Sequence, residues 1–417
     1  MSYSGFVIFQ TVLASGFSAS TNRTHRCGDM SLCGISPKVW DQDARQEDGA
    51  AVVQRNGCSA GRIKDTTVNN NILIYGANGY TAQLIIELAL GEGAKPILAG
   101  RSAQKLALLA TRHGLSYRVF ALDDIDVIAG NLTGVGVVLN CAGPFSRTAK
   151  AMAEGCIAAG VHYLDITGEI DVFEALAALG PKAATAGVML MPGTGFDVVP
   201  SDCLAAHLKR RLPDASALTL AFQAIGQPSH GTATTMVENL HRGGMIRRDG
   251  KLVAVASASS CREIDFGRGP VTTMCIPWGD VSTAWVSTAI ANIEVFMATP
   301  LALRWMAKAS RYLGAVMGSG VVQNLLKKHI DSGSAGPDAE QRQRGASHLW
   351  GQVRNAAGQT ATSRLDTVEG YALTALTAWD VAKRTATGAA QRGYRTPSLV
   401  FGADYILNFA GTTRTDL

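Results

Sequence analysis

The chain has 417 residues, 47% apolar and 17% charged, and 38 Lys and Arg against 33 Asp and Glu leave a net charge of +5. At about 150 residues per domain, that length allows two or three domains with ample apolar material for a core. It excludes a wholly disordered chain, a collagen-like repeat and a disulfide-rich miniprotein, and so mild a charge surplus gives no case for nucleic acid.

The eight cysteines (Cys27, Cys33, Cys58, Cys141, Cys156, Cys203, Cys261 and Cys275) include no C-x-x-C pair and no His at zinc-ligand spacing. No metal site is therefore expected, and a reducing compartment, the cytoplasm, is the default.

Residues 1–69 keep no helical or strand period and read as a poorly ordered leader. Their apolar run at 5–14 has the composition of a signal-peptide core but no preceding positive charge, and it is too short to span a bilayer. A targeting role for this segment stays open. A second apolar stretch, 281–303, is interrupted by Asn292, Glu294 and Pro300 and reads as strands followed by a helix, not as a membrane span.

From Asn71 onward, strand-like and helix-like segments alternate. Strands are expected at Ile72–Tyr75, Pro96–Ala99, Tyr117–Ala121, Val135–Asn140, His162–Ile166 and Val188–Met191, with helices at Thr81–Leu90, Ala103–Thr111 and Arg147–Ala159. Such alternation implies an α/β fold, a Rossmann-type parallel sheet with helices on both faces. After about Pro200 the pattern loosens. A linking helix at Val199–Arg211 precedes strands at Leu218–Ala224, Leu252–Ala256, Val271–Ile276, Ala291–Met297, Leu349–Asn355 and Thr360–Asp366. The last two flank Gly358 as a hairpin. Helices are expected at Thr232–His241, Leu301–Tyr312 and Tyr371–Ala386, and residues 332–345 as a polar loop. The expected organisation is a leader (1–69), a Rossmann NADP-binding domain (70–200), a second α+β domain with a largely antiparallel sheet for substrate or dimerisation (201–395), and a C-terminal segment (396–417) returning toward the Rossmann domain.

Gly76-Ala77-Asn78-Gly79-Tyr80-Thr81-Ala82 comes straight after a strand and opens a helix. Glycine at that turn lets the backbone approach a phosphate, and the helix N-terminus offers unpaired N–H groups to a pyrophosphate. The second strand ends in Gly100-Arg101-Ser102, where an NAD site usually carries an acid for the ribose 2′-hydroxyl. A guanidinium suits a 2′-phosphate instead, so NADP(H) is favoured. Asp123 could meet the adenine edge or cap a helix. Cys141, Ala142, Gly143 and Pro144 leave room for the cofactor's second half, and Cys141 reads as a packing residue, not a nucleophile. The cofactor-binding set is thus Gly76, Asn78, Gly79, Tyr80, Thr81, Arg101, Ser102, Asp123, Cys141, Ala142, Gly143 and Pro144.

Several separated segments resemble the saccharopine dehydrogenase-like oxidoreductases: Asn78–Thr81, Asn140–Phe145, Tyr163–Glu169, Pro192–Asp202, Trp278–Ala284 and Thr396–Leu399. Among these, the chain is most similar to the trans-acting enoyl reductases, over about 72–417. The resemblance implies an NADP-type Rossmann domain, a second domain over the nicotinamide, and NADP-dependent reduction of an enoyl or carbonyl group on an apolar, lipid- or polyketide-like small molecule. Candidate catalytic groups at strand ends are Tyr163, Asp165, Glu169 and Asp197. Plainer roles for them are loop bonds for Asp165 and Glu169, and a helix cap for Asp197. His230-Gly231-Thr232 precedes a helix whose N-terminus could hold a carbonyl. Two other readings stand beside this one: a non-catalytic NADP-binding scaffold at lipid surfaces, and a saccharopine-type C–N reductase. The latter needs Arg242, Arg247, Arg248, Arg262 and Arg268 to converge. The stretch 281–303 suits an apolar substrate tunnel or a plain core strand, and the low charged fraction leaves room for a homodimer interface.

Overall fold

In the computed structural model the described residues are 70–225, 243–256, 259–299, 301, 304 and 336–417. The expected leader (1–69), the helix Thr232–His241, His230-Gly231-Thr232, Arg242 and nearly all of Leu301–Tyr312 lie outside them.

Successive strand residues point to opposite faces, so a strand covered on both sides reads as an unbroken apolar run. Strand β1 (Ile72–Tyr75) is such a run: Ile72 and Ile74 enter one core cluster, Leu73 and Tyr75 the other. The sheet continues with β2 (Ile97–Gly100), β3 (Tyr117–Val119), β4 (Val137–Asn140), β5 (His162–Asp165) and β6 (Met189–Met191). The order is β3-β2-β1-β4-β5-β6, wholly parallel, with the direction of winding reversing between β1 and β4. Every C-terminal strand end therefore lies along one edge, with a crevice at the reversal point, where ligands of open α/β sheets bind.

The second sheet contains β7 (Ala217–Ile225), β8 (Gly244–Arg248), β9 (Lys251–Val255), β10 (Cys261–Asp265), β11 (Pro270–Cys275), β12 (Asn292–Ala298), β13 (Ala346–Arg354) and β14 (Thr360–Val368). It is antiparallel except for the pair β7–β12. The β13–β14 hairpin pairs Leu349 with Leu365, and Leu349 also faces Phe222 of β7. Leu218, Leu220, Phe222, Leu349, Val353 and Leu365 share one core cluster with Ile72 and Ile74, so the two sheets bury a continuous apolar interior. The fold class is thus the expected one, a Rossmann-type α/β sheet joined to an α+β unit with a largely antiparallel sheet.

Several segments differ from expectation. The stretch 281–303 begins with a helix, Asp280–Thr288, and only then becomes β12. Its β-branched residues predict strand, but Val281 and Ala284 are buried against the core and that packing overrides propensity. Ile290, Ile293, Val295 and Phe296 are core as well, so the described part of this stretch is not a substrate tunnel. Residues 339–344, expected as loop, form a short helix because Asp338 and Gln341 make a capping box. The chain returns to the parallel sheet at β15 (Gly393–Tyr394), beside β6, earlier than the 396–417 segment. The last strand, β16 (Thr413–Asp416), pairs with β14 of the second sheet instead. Among the described residues no helix is long and apolar enough to cross a membrane.

Candidate functional site

The glycine-rich turn follows β1 at once. Gly76 has φ +78, and a Cβ there would stand 2.8 Å from the backbone nitrogen of Ala142 across the crevice. Only glycine fits both constraints. Helix Tyr80–Gly91 then starts with no side-chain cap. Its first N–H to find a carbonyl is that of Gln83, on Gly79 O at 3.0 Å, which leaves Tyr80, Thr81 and Ala82 N–H open to a ligand among the described residues. Asn78 is exposed and its Oδ1 lies beside Gly100 at the end of β2. Arg101 follows, exposed, and Ser102 occupies the N-cap of helix Ala103–His113 without capping it. Asp123 is also exposed, because its neighbour Asp124 takes the cap of helix Ile125–Asn131, accepting from Asp126 N and Val127 N. Asp123 is thereby released from the capping role. Both Arg101 and Asp123 act on the Tyr75 hydroxyl, whose pKa burial pushes up to about 12.

Across the reversal point, β4 ends in Asn140. Its Oδ1 accepts from Ala142 N at 3.1 Å and its Nδ2 donates to Tyr163 Oη at 3.3 Å, which fixes the turn Cys141–Pro144. Burial pushes the Cys141 thiol far up and Asp165 adds to it, as befits packing and not nucleophilic attack. Glu169 caps helix Phe145–Ala159, accepting from Phe145 N and Ser146 N at 3.0 and 3.2 Å. It ties the ends of β4 and β5 together from 24 residues downstream of Phe145.

Tyr163 and Asp165 are wholly buried. Tyr163 Oη donates to Asp165 Oδ2 at 2.7 Å, and Asp165 Oδ1 accepts from Thr167 N and Gly193 N. Burial pushes the Asp165 carboxyl up to about 6 against the pull of these bonds. Neither side chain meets solvent, so both position the loops after β5 and β6. Thr194 N and Oγ1 donate to Asp165 O, Thr377 Oγ1 donates to Thr194 O, and Phe196 N donates to Thr374 Oγ1. The loop Pro192–Asp197 is thereby held from β5 on one side and from helix Gly370–Arg384 on the other.

Asp197 ends that loop. The next helix, Val199–Arg211, has Val198 at its N-cap and no side-chain cap bond, so Asp197 is not the expected cap. Its carboxylate lies against Gly168, its backbone carbonyl accepts from Trp278 Nε1 at 3.0 Å, and its side chain has no hydrogen-bond partner among the described residues. Burial alone pushes the carboxyl up to about 7. Beside it, Phe196 meets Phe222 edge-on at 6.1 Å, and Phe222 meets Trp278 at 4.6 Å between ring centroids. This aromatic wall escaped sequence reasoning because its members come from three distant elements.

Of the arginines a C–N reductase would need to gather, Arg242 lies outside the described residues, and Arg247 and Arg262 are each engaged elsewhere. Arg247 is buried and donates to Val281 O, Gly250 O and Glu174 Oε1. Arg262 pairs with Glu294 at 2.8 Å over the Phe296 ring, on β10. Both are committed to structure. Among the described residues no group of His, Cys, Asp or Glu could hold a metal ion.

Residues 72–191 match the saccharopine dehydrogenase NADP binding domain. That span runs from β1 to β6 and holds the glycine-rich turn, Arg101 and the Asn140–Pro144 corner. A saccharopine dehydrogenase-like oxidoreductase of Bos taurus is 25% identical over 181 residues, 39% of this chain and 42% of its own length. A trans-acting enoyl reductase of Mycobacterium leprae is 33% identical over 153 residues, 34% of this chain and 36% of its own. The chain thus matches less than half the length of either relative. The saccharopine dehydrogenase-type fold extends further. The apo saccharopine dehydrogenase (L-Glu forming) of Saccharomyces cerevisiae aligns over 83% of this chain and 99% of its own, at TM-score 0.59 and 16% identity. The NADP-binding family's nucleotide site fits the residues present, since an uncapped helix start, a glycine too tight for a Cβ and an exposed arginine line one edge.

Proposed function

We propose that the chain is an NADPH-dependent reductase acting on an enoyl or carbonyl group of an apolar substrate. The observation that carries this reading is Asp197: a carboxyl with no partner among the described residues, raised to about 7, in the loop after β6 beside the wall of Phe196, Phe222 and Trp278. The N–H groups of Tyr80, Thr81 and Ala82 take the pyrophosphate and Arg101 takes the 2′-phosphate. When bound, NADPH supplies the hydride. The aromatic wall holds the reacting group flat and excludes water, and Asp197 gives its proton to the atom next to the one that takes the hydride, the α-carbon of an enoyl group or the oxygen of a carbonyl. It then takes a proton back from water, so each turnover consumes one proton. A general acid near its own pKa suits this role and is worth about 10²–10⁴ in rate. The scattered positions of Arg247 and Arg262 disfavour a substrate with several carboxylates.

The test is NADPH oxidation on a panel of long-chain 2-enoyl thioesters and aldehydes. Wild type should turn over with a rate that falls as pH rises through about 7. Asp197→Asn should lose about 10²-fold or more in kcat while binding NADPH normally. An Asn variant with full turnover removes Asp197 from the chemistry. NADPH binding without turnover on any panel member favours the scaffold reading.

A further inference from the structure

Tyr80 is the first residue of the dinucleotide helix, and its side chain reaches a segment that follows it by more than 250 residues. Its Oη donates to Pro337 O at 2.5 Å, and Arg342 Nη1 donates both to Tyr80 Oη at 2.9 Å and to Pro337 O at 2.8 Å. A Cβ on Gly336 would stand 2.8 Å from the Tyr80 ring, so the chain lies flat on that ring. On another side Tyr371 meets the ring edge-on at 5.4 Å.

The charge arrangement at this place is unbalanced. Arg210, Arg247, Arg262 and Arg364 each face a carboxylate within 3.0 Å. Among the described residues Arg342 forms no ion pair, and both its side-chain bonds run through Nη1, with no partner there for Nε or Nη2. The carboxylate that acts on it from a distance, Glu369, is committed to Tyr371 N and Ala372 N as the cap of helix Gly370–Arg384. A guanidinium parked one side chain away from the positive end of a helix is electrostatically unfavourable unless an anion lies between them. The same end carries the three open N–H groups.

We propose that Arg342 is a cofactor-binding residue, whose guanidinium, seated on Tyr80, takes the pyrophosphate at the N-terminus of helix Tyr80–Gly91. This rests on the nucleotide reading given above and extends it to a residue outside the matched 72–191 span. Nε and Nη2 supply the donors. Tyr80 serves as the post that sets their position, so nucleotide binding and the seating of residues 336–344 on the Rossmann unit are one event. Because the pyrophosphate is common to both nucleotides, Arg342 contributes to affinity without choosing between them, whereas Arg101 chooses.

The test is calorimetric titration of NADPH and NADH into the full chain, wild type against Arg342→Ala, Tyr80→Phe and Arg101→Ala, each checked for fold by circular dichroism. Arg342→Ala should raise both dissociation constants by the same factor, about tenfold or more, and flatten their salt dependence. Tyr80→Phe keeps the ring and removes the post, so it should weaken both nucleotides by a smaller common factor. Arg101→Ala should weaken NADPH alone. If Arg342→Ala does not fold, Arg342→Gln, which removes the charge but keeps an amide donor, decides by the same criterion. A folded Arg342 variant whose two affinities stay within about twofold of wild type overturns the proposal. A wild-type chain that binds neither nucleotide overturns it together with the nucleotide reading beneath it.

Discussion

The carboxylate of Asp197 rests on the bare Cα of Gly168: a Cβ there would stand 2.6 Å from Asp197 Oδ2. Gly279 approaches the same glycine, since a Cβ on Gly279 would lie 3.2 Å from Gly168 O. The loops after β5 and β6 and the start of helix Asp280–Thr288 therefore meet at a residue with no side chain. Gly168→Ala should push the Asp197 carboxylate out of place while leaving the nucleotide turn, on β1, untouched. The expected outcome is a fall in kcat of about 10²-fold with an unchanged NADPH affinity. Steady-state kinetics beside calorimetry checks it, and equal losses in both would mean the glycine serves the fold alone.

Asp197 also writes a signature into stability. Burial raises its folded-state pKa from the ordinary carboxylate value to about 7. The folded chain then holds a proton that the unfolded chain has released, so folding stability falls as pH rises from about 4 to about 7 and is level above. Asn carries no such proton. The melting temperature of Asp197→Asn relative to wild type should therefore climb between pH 4 and 7 and flatten beyond. A difference that does not change with pH would show that the group is solvated and ordinary.

Asp280 should behave in the same sense. It is 1% exposed, and neither oxygen has a partner at bonding distance. Burial pushes its carboxyl well up, the Ser201 hydroxyl opposes the rise, and Asp202 and Asp197 add to it. The neutral isostere in Asp280→Asn should cost little at pH 5 and raise the melting temperature relative to wild type at pH 8, by the same linkage. Thermal scans at the two pH values check this, and a variant equally destabilised at both would contradict it.

Arg247 holds the two units to each other. Its guanidinium joins β8 to helix Asp280–Thr288 through Val281 O, and to helix Ile170–Ala178 through Glu174, which also accepts from Ser282 Oγ at 2.6 Å. Arg247→Ala strands a buried carbonyl and removes the guanidinium from the face of Trp285, and should cost about 2–3 kcal/mol. Chemical denaturation measures it, and a loss below about 0.5 kcal/mol would place the pair among inert surface contacts.

The parts legible in the sequence are those whose cause is local. The run Ile72–Tyr75, the glycines at 76 and 79 and the helix after them are consecutive, so pattern alone places the nucleotide turn. Arg101 is legible for the same reason, since it stands where β2 must end. The remainder depends on partners distant in sequence. Nothing near Glu169 marks it as the cap of a helix that begins at Phe145. Val281–Thr288 reads as strand until its burial against the core is known. Strand β8 ends in two arginines, one of them buried, and β10 carries Arg262 and Glu263 exposed, so both lack the apolar alternation that marks a strand. Trp278 and Phe222 stand beside Asp197, and Arg342 reaches Tyr80, from the second unit, and no spacing rule relates any of them to Gly76.

The protein's chemistry turns first on which nucleotide the Gly76–Ala82 turn takes and on whether Arg101 chooses it. Calorimetric titration of NADPH and NADH into wild type and Arg101→Ala measures both at once. Tight NADPH binding, about tenfold weaker in the variant, with NADH affinity the same in both proteins, is the predicted result. Equal affinities of wild type for NADPH and NADH, both indifferent to Arg101→Ala, would contradict it.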